Sequence, residues 1–275
     1  MFGPHDGRRV DVHPYRAMMG FLLRGRNQSA VYFEHRLDLT RTQPWLDRRR
    51  NPNVAAAQQP KLFHLILHAL ASVLHDRDRL NRFTIGHRTY QRNGVYLSFA
   101  AKKALSDEAP LATIKREFGK GESFDAVVSA LTSDIGEARS DRPSHIDKEL
   151  SILLKFPAFL LAFMIGALKR LYKWGLAPRS LVDTDPMYAS AFVANLGSIK
   201  LDAAYHHLYE HGNCPLFMTI GQVVDAPVVV DGKLEVRPTV TLRFTYDERI
   251  EDGLYAARTL KLLAERIENP ASWIS

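Results

Sequence analysis

The chain has 275 residues, 46% hydrophobic and 24% charged, with a formal net charge of +7. That is ordinary globular composition with no low-complexity segment and no internal repeat, enough for one large domain or two small ones. The basic balance favours anionic partners such as nucleotide phosphates or acidic lipid surfaces, but no nucleic-acid reading motif accompanies it, so nucleic acid is excluded as an expected partner.

Residues 1–12 read as a flexible arm. This stretch is polar, without the apolar core of a signal sequence, and Cys214 is the lone cysteine; both point to a reducing, cytoplasmic setting. A short helix is expected from Tyr15 to Arg24, stopped by Gly25. From Ala30 to Leu39 the residues alternate as a strand does. Thr40 is placed to cap a helix running toward Arg50. Leu62, Leu65, Ile66, Ala69, Leu70, Val73 and Leu74 recur at helical spacing, which predicts a helix from Lys61 to His75. His64 and His68 stand four apart on it, but no third ligand accompanies them, so they read as polar-face residues and no metal is expected. Arg82–Arg92 and Gly94–Lys103 read as strands joined at Asn93-Gly94, a good hairpin turn. Ala109–Phe118 is a further strand, and Ser123 can cap a helix from Phe124 to Arg139.

An apolar helical insertion is expected at about 145–185. Phe156–Leu168 carries no charge, and Lys155, Lys169, Arg170 and Lys173 flank it. The uncharged run is shorter than the roughly 18 residues that cross a bilayer. Three readings stay open: a helix buried in the core or a subunit interface, a peripheral membrane contact through 150–175, and a membrane span. Beyond it the chain is β-rich. Ser190–Asn195, Leu216–Val224 and Val236–Tyr246 read as strands, Asp231-Gly232 as a tight turn, and Gly253 opens a last helix that ends at Asn269-Pro270.

These last elements carry a family resemblance. Asp247-Glu248-Arg249-Ile250-Glu251-Asp252-Gly253 resembles the D-H-R-x-x-D-G signature of the acyltransferases of 2-oxo-acid dehydrogenase complexes. Ala191–Gly197 resembles their T-I-S-N-L-G strand and turn. Phe217–Gly221 and Ala226–Lys233 resemble their A-I-L-A-I-G and K-P-V-V-x-D-G-K strands. The match covers roughly residues 187–274 in order and spacing. It implies the chloramphenicol-acetyltransferase-like fold, an α/β mixed sheet flanked by helices, with residues 13–275 as a single catalytic-type domain. It also implies a homotrimer with active sites at subunit interfaces, coenzyme A or acyl-CoA as substrate, and no lipoyl group on this chain.

Two positions depart from the family pattern. Glu248 stands where the signature has its catalytic histidine, and Ala194 stands where a serine hydrogen-bonds the oxyanion. Ala194, Asn195 and Gly197 form that region of the site. Glu248 reads either as an altered base or as half of a structural ion pair with Arg249 or another arginine. The resemblance gives Asp252 a salt bridge that shapes the site, with Arg16 as its candidate partner. Tyr205-His206-His207-Leu208-Tyr209-Glu210-His211 lies where the family has an apolar N-P-P segment. His206 and His207 read as a replacement base, a metal site or hydrogen-bonding residues of a loop. The function expected from the resemblance is acyl transfer from acyl-CoA to a hydroxyl, amine or thiol with a non-standard base. The alternative is an inactive trimeric scaffold.

Overall fold

The structure is a computed structural model and describes residues 3–102, 111–139 and 155–274. The predicted strands assemble into one six-stranded mixed sheet. Its strands are Ala30–Asp38 (β2), Val95–Lys102 (β5), Leu111–Phe118 (β6), Ala191–Asn195 (β7), Leu216–Val230 (β8) and Lys233–Asp247 (β9), in the order β2-β9-β8-β7-β5-β6. β7 runs parallel to β5 and β8; the remaining pairs are antiparallel. Strand alternation sorts the side chains. Leu97, Phe99, Ala191, Val193, Met218, Leu242 and Phe244 face one side and meet the helices Leu62–Asp76 (α3), Phe124–Arg139 (α4) and Gly253–Glu268 (α7) in the main core. Phe192 and Phe217 face the other side, beneath the connection 201–214, which contributes Leu208 and Cys214.

Three differences from expectation have physical causes. Gly7–Arg9 (β1) is a strand, not part of a loose arm, and pairs with Arg88–Arg92 (β4). It is tied down by Asp6, whose carboxylate takes Arg92 at 3.1 Å, Asn213 at 2.7 Å and the Tyr172 hydroxyl at 2.9 Å. The stretch Arg82–Arg92 is two strands, Arg82–Ile85 (β3) and β4, because Gly86 turns the chain at φ +61. β1, β4 and β3 make a second, three-stranded sheet, so the expected hairpin at Asn93-Gly94 does not form: that turn carries the chain from β4 in this sheet to β5 in the six-stranded one. The tip of the β8–β9 hairpin stays paired as far as Val230–Lys233, so both strands outrun their expected bounds. Asp231 and Gly232 turn it at φ 48 and 77.

The apolar run forms Ala158–Trp174 (α5) and is not a core helix: Tyr172 is its one buried residue. No helix among the described residues is long and apolar enough to cross a membrane. Residues 145–154 of the expected insertion lie outside the described residues. The helices Pro14–Leu22 (α1), Thr42–Arg48 (α2) and Arg179–Thr184 (α6) complete the order. Thr40 does not cap α2. Arg41 holds the cap position, and Thr40 donates to Asp38 at 2.8 Å through its backbone.

Candidate active site

The signature turn follows the last residue of β9. Asp247 is buried, and its carboxylate takes Arg249 in two parallel bonds, Nε to Oδ1 at 2.8 Å and Nη2 to Oδ2 at 2.6 Å. The Ser29 hydroxyl adds a bond at 2.9 Å. A fork-to-fork pair of this kind fixes orientation as well as charge. Between these partners Glu248 is held by its backbone: its N–H donates to Ser29 at 2.9 Å, and the Arg16 guanidinium donates to its carbonyl. The Glu248 side chain is half-buried and makes no ion pair or hydrogen bond among the described residues, so the expected pairing with Arg249 is replaced by Asp247. Burial, and then the charge of Glu248, push the Tyr246 phenol up to about 12.

Asp252 caps α7, accepting from the Tyr255 N–H at 2.8 Å. It does not pair with Arg16. Glu251, one residue earlier, takes the arginines instead, Arg79 at 3.0 Å and Arg82 at 3.3 Å. Burial favours this choice, since Glu251 is 6% exposed and needs a countercharge, whereas Asp252 is solvated. Arg16 and Asp252 do share a cleft of about 420 Å³ with His13, Arg79 and Arg82.

At the other motif, the Ala194 methyl joins the packing around Phe192 and Phe217 and has no group to donate. The Asn195-Leu196-Gly197 turn presses against β8. A Cβ on Gly197 would sit 2.4 Å from the Gly221 carbonyl oxygen, and one on Gly221 would sit 2.4 Å from Asp202 Oδ1 and 2.7 Å from the Ala203 N, so neither position has room for a side chain. Asn195 lines a second cleft, of about 540 Å³, with Phe63, Phe99, Ile135, Lys61 and Arg139. The basic residues of this cleft were not read from the sequence, because they come from α4 and the start of α3. The two clefts share no lining residue.

The histidine run lies as a strap across the sheet. His207, His206, Phe217 and Phe192 form a continuous ring stack, with successive centroids 4.6, 3.9 and 5.2 Å apart. His206 Nδ1 lies 2.7 Å from the His207 carbonyl and His207 Nδ1 lies 3.0 Å from the Leu208 carbonyl. A carbonyl only accepts, so each Nδ1 carries a proton, and in the neutral ring Nε2 is the nitrogen with the lone pair. Burial holds His206 below the ordinary imidazole range, partly offset by that bond to the carbonyl. Glu210 is not a base here: its carboxylate takes the Asn27 N–H at 3.1 Å and side-chain amide at 3.2 Å. Arg26 ties the strap down, donating to the Tyr209 carbonyl at 2.5 Å and to that of Gly212. Asn27–Ser29 therefore holds the strap on one side and the signature turn on the other. Thr245 completes the link, donating to the His206 carbonyl at 2.5 Å. His206 and His207 still make no contact with Glu248. Among the described residues no group of three or more His, Cys, Asp or Glu is placed to hold a metal ion.

With this geometry in view, comparison with known proteins is informative. Residues 181–275 match the model of the family "2-oxoacid dehydrogenases acyltransferase (catalytic domain)". The resemblance of the C-terminal third is real. Over 48 residues the chain is 44% identical to the succinyltransferase component of the mitochondrial 2-oxoglutarate dehydrogenase complex of Bos taurus, a stretch that is 18% of this chain and 10% of that protein. The match thus spans about a tenth of the relative's length. A dihydrolipoamide acetyltransferase of Azotobacter vinelandii superposes with a TM-score of 0.61 at 16% identity, covering 96% of this chain and 93% of that one. A chloramphenicol acetyltransferase superposes at 0.50 with 12% identity, covering 96% and 98%. The chain has the chloramphenicol-acetyltransferase-like fold. Within this acyltransferase fold, the framework of the signature is kept while its histidine and serine positions hold Glu248 and Ala194.

Proposed function

We propose that this protein is an acyltransferase that moves an acyl group from an acyl-thioester, most simply acyl-CoA, to a hydroxyl, amine or thiol acceptor. Residues 13–275 act as one catalytic-type domain. The observation that carries this reading is the pair of preserved turns, one held by Asp247–Arg249 and one by Gly197 against Gly221, each beside its own cleft. Because the clefts share no lining residue, this reading brings one turn from each of two copies to a shared centre. That arrangement puts the sites between protomers, as in the homotrimer that the family resemblance implies. Lys61 and Arg139 in the Asn195 cleft suit the phosphates of coenzyme A, and Phe63, Phe99 and Ile135 suit the acyl or pantetheine chain.

Chemically, the acceptor must lose a proton as its O, N or S attacks the thioester carbonyl. The carbonyl electrons then return and expel the coenzyme thiolate, which takes up a proton. His206 and His207 each offer an unprotonated Nε2, and Glu248 offers an unpaired carboxylate; these are the candidate bases. Without a hydroxyl at Ala194, oxyanion stabilisation falls to main-chain N–H groups, and loss of one such donor costs about 3 kcal/mol. That same loss favours a second reading, an inactive trimeric scaffold.

The deciding test is thiol release from a panel of acyl-CoA donors with mixed acceptors, alongside thermal shifts with coenzyme A. Glu248→Ala, His206→Ala and His207→Ala serve as comparisons. Turnover lost in one of these variants supports the enzyme. No turnover and no shift with any thioester leaves the scaffold.

A further inference from the structure

We propose that the exposed face of α5, from Phe159 and Phe163 in its first turns to Trp174 at its last residue, is a docking surface for an anionic lipid membrane. This surface is separate from both clefts and does not depend on the acyltransferase reading.

Among the described residues, the helix is anchored at its C-terminal end. Leu168, Leu171 and Tyr172 pack on the cluster under the three-stranded sheet, and the Tyr172 hydroxyl donates to Asp6. Gly175 closes the helix in the left-handed region at φ 74, with the Leu176 N–H returning to the Leu171 carbonyl at 2.8 Å. Away from that anchor, the first turns project apolar side chains into solvent. Phe159 is 76% exposed and Phe163 is 70% exposed, and Ile165 and Trp174 are also exposed. Phe159 and Phe163 stand four apart, so they lie on one face of the helix. Exposed aromatic side chains gathered on one helix face mark an interaction site.

Charge identifies the occupant. From Lys155 to Val182 the chain contains no Asp or Glu, while Lys155, Lys169, Arg170, Lys173 and Arg179 fall within it. An apolar helical face in a segment whose only charges are cations, with an exposed tryptophan at its end, fits the boundary between acyl chains and anionic headgroups. The helix, of 17 residues, is not one that spans a bilayer, so it would lie in the plane of the interface.

A second exposed apolar helix lies close by. Phe21 of α1 stacks on His87 at 4.6 Å, and a Cβ on the preceding Gly86 would meet the Lys173 side chain at 3.9 Å. Thus α1 and the C-terminal end of α5 sit against consecutive residues of one turn, and Met18 and Leu22 of α1 are exposed as well.

The test is co-sedimentation of the full chain with vesicles of phosphatidylcholine alone and with phosphatidylglycerol added. Emission of Trp174 is followed in parallel, with Trp174→Phe identifying its signal. Binding to the anionic vesicles, a blue shift, and release by salt are expected. Phe159→Ser and Phe163→Ser should each lower partitioning by at least about tenfold. Lys169→Gln combined with Arg170→Gln and Lys173→Gln should abolish the preference for anionic lipid. Melting curves confirm that these exposed substitutions leave the fold intact. Absence of wild-type binding to anionic vesicles overturns the proposal whatever the variants do. So does equal binding to neutral vesicles, or a Phe159→Ser protein that loses oligomeric mass in light scattering, since a second copy would then be covering the face.

Discussion

Asp247 and Arg249 are joined side by side at the end of β9 by two bonds of 2.8 and 2.6 Å, both side chains being almost wholly buried. The pair occupies the first and third positions of the signature, so the residue between them is presented by a rigid turn whatever its chemistry. Removing one partner leaves a buried charge. Asp247→Ala should therefore cost about 3–5 kcal/mol of stability. Asp247→Leu combined with Arg249→Met removes both charges and should cost clearly less than the sum of the single changes. Urea unfolding of the singles and the double measures this; additive losses would show that the two groups are not coupled.

The contact of Gly197 with Gly221 gives a steric prediction. A methyl at 197 would meet the Gly221 carbonyl oxygen at 2.4 Å, with backbone on both sides and no flexible side chain to yield. Gly197→Ala should lower stability by about 1–3 kcal/mol, the usual range for overpacking. Gly119→Ala, where a Cβ meets nothing within 4 Å, should change it by less than about 0.5 kcal/mol. Thermal unfolding of the two variants side by side is the check.

Local pattern carried much of this fold. The helical spacing from Leu62 to Leu74 and the alternation from Ala30 to Leu39 need only a core to face, whereas the hairpin signal of Asn93-Gly94 misled, because β4 and β5 on either side of it enter different sheets. The turn at Gly86-His87 was hidden because it lies within a run that reads as one strand. Gly7–Arg9 has no strand signal at all; its order comes from β4 and from the buried partners of Asp6, far away in sequence. The uncharged run of α5 announced an apolar helix but not its destination, since composition states that a surface prefers to leave water and not what will cover it. At the site, the spacing of Asp247, Glu248, Arg249 and Asp252 was legible. The partners were not: Arg16 meets the Glu248 carbonyl, not Asp252, and Arg26 pins the histidine strap through main-chain oxygens that no sequence pattern marks.

His64 makes stability depend on pH. Burial, reinforced by Lys61, lowers its imidazole to about 4, and its Nδ1 accepts from the Lys61 N–H at 3.3 Å, which requires the neutral ring. The unfolded chain takes up that proton near pH 6.5, the folded one only near pH 4. Between these values the unfolded state binds more protons, so the contribution is complete above pH 6.5 and is lost as pH falls toward 4, on the order of 3 kcal/mol in all. His64→Asn keeps an acceptor at this third helical position and removes the titration. Its stability should fall less steeply over the same interval, as read from unfolding midpoints at successive pH values.

If the two altered positions are what limit the chemistry, restoring them should increase it. Ala194→Ser places a hydroxyl on the β7 face that carries Phe192, next to Thr219 of β8, whose own hydroxyl is engaged with the Ala204 carbonyl at 2.6 Å. A donor there should raise thiol release from acyl-CoA by about a hundredfold. Glu248→His puts an imidazole on the turn fixed by Asp247, Arg249 and Arg16, and should move the acid limb of the rate profile toward the ordinary histidine range near pH 6.5. In the double variant the effects should combine, because one acts on the oxyanion and the other on the acceptor proton. An unchanged rate in all three, with thioester binding intact, would mean that the native reaction relies on the histidine strap, and His206→Ala would then be the variant that removes it.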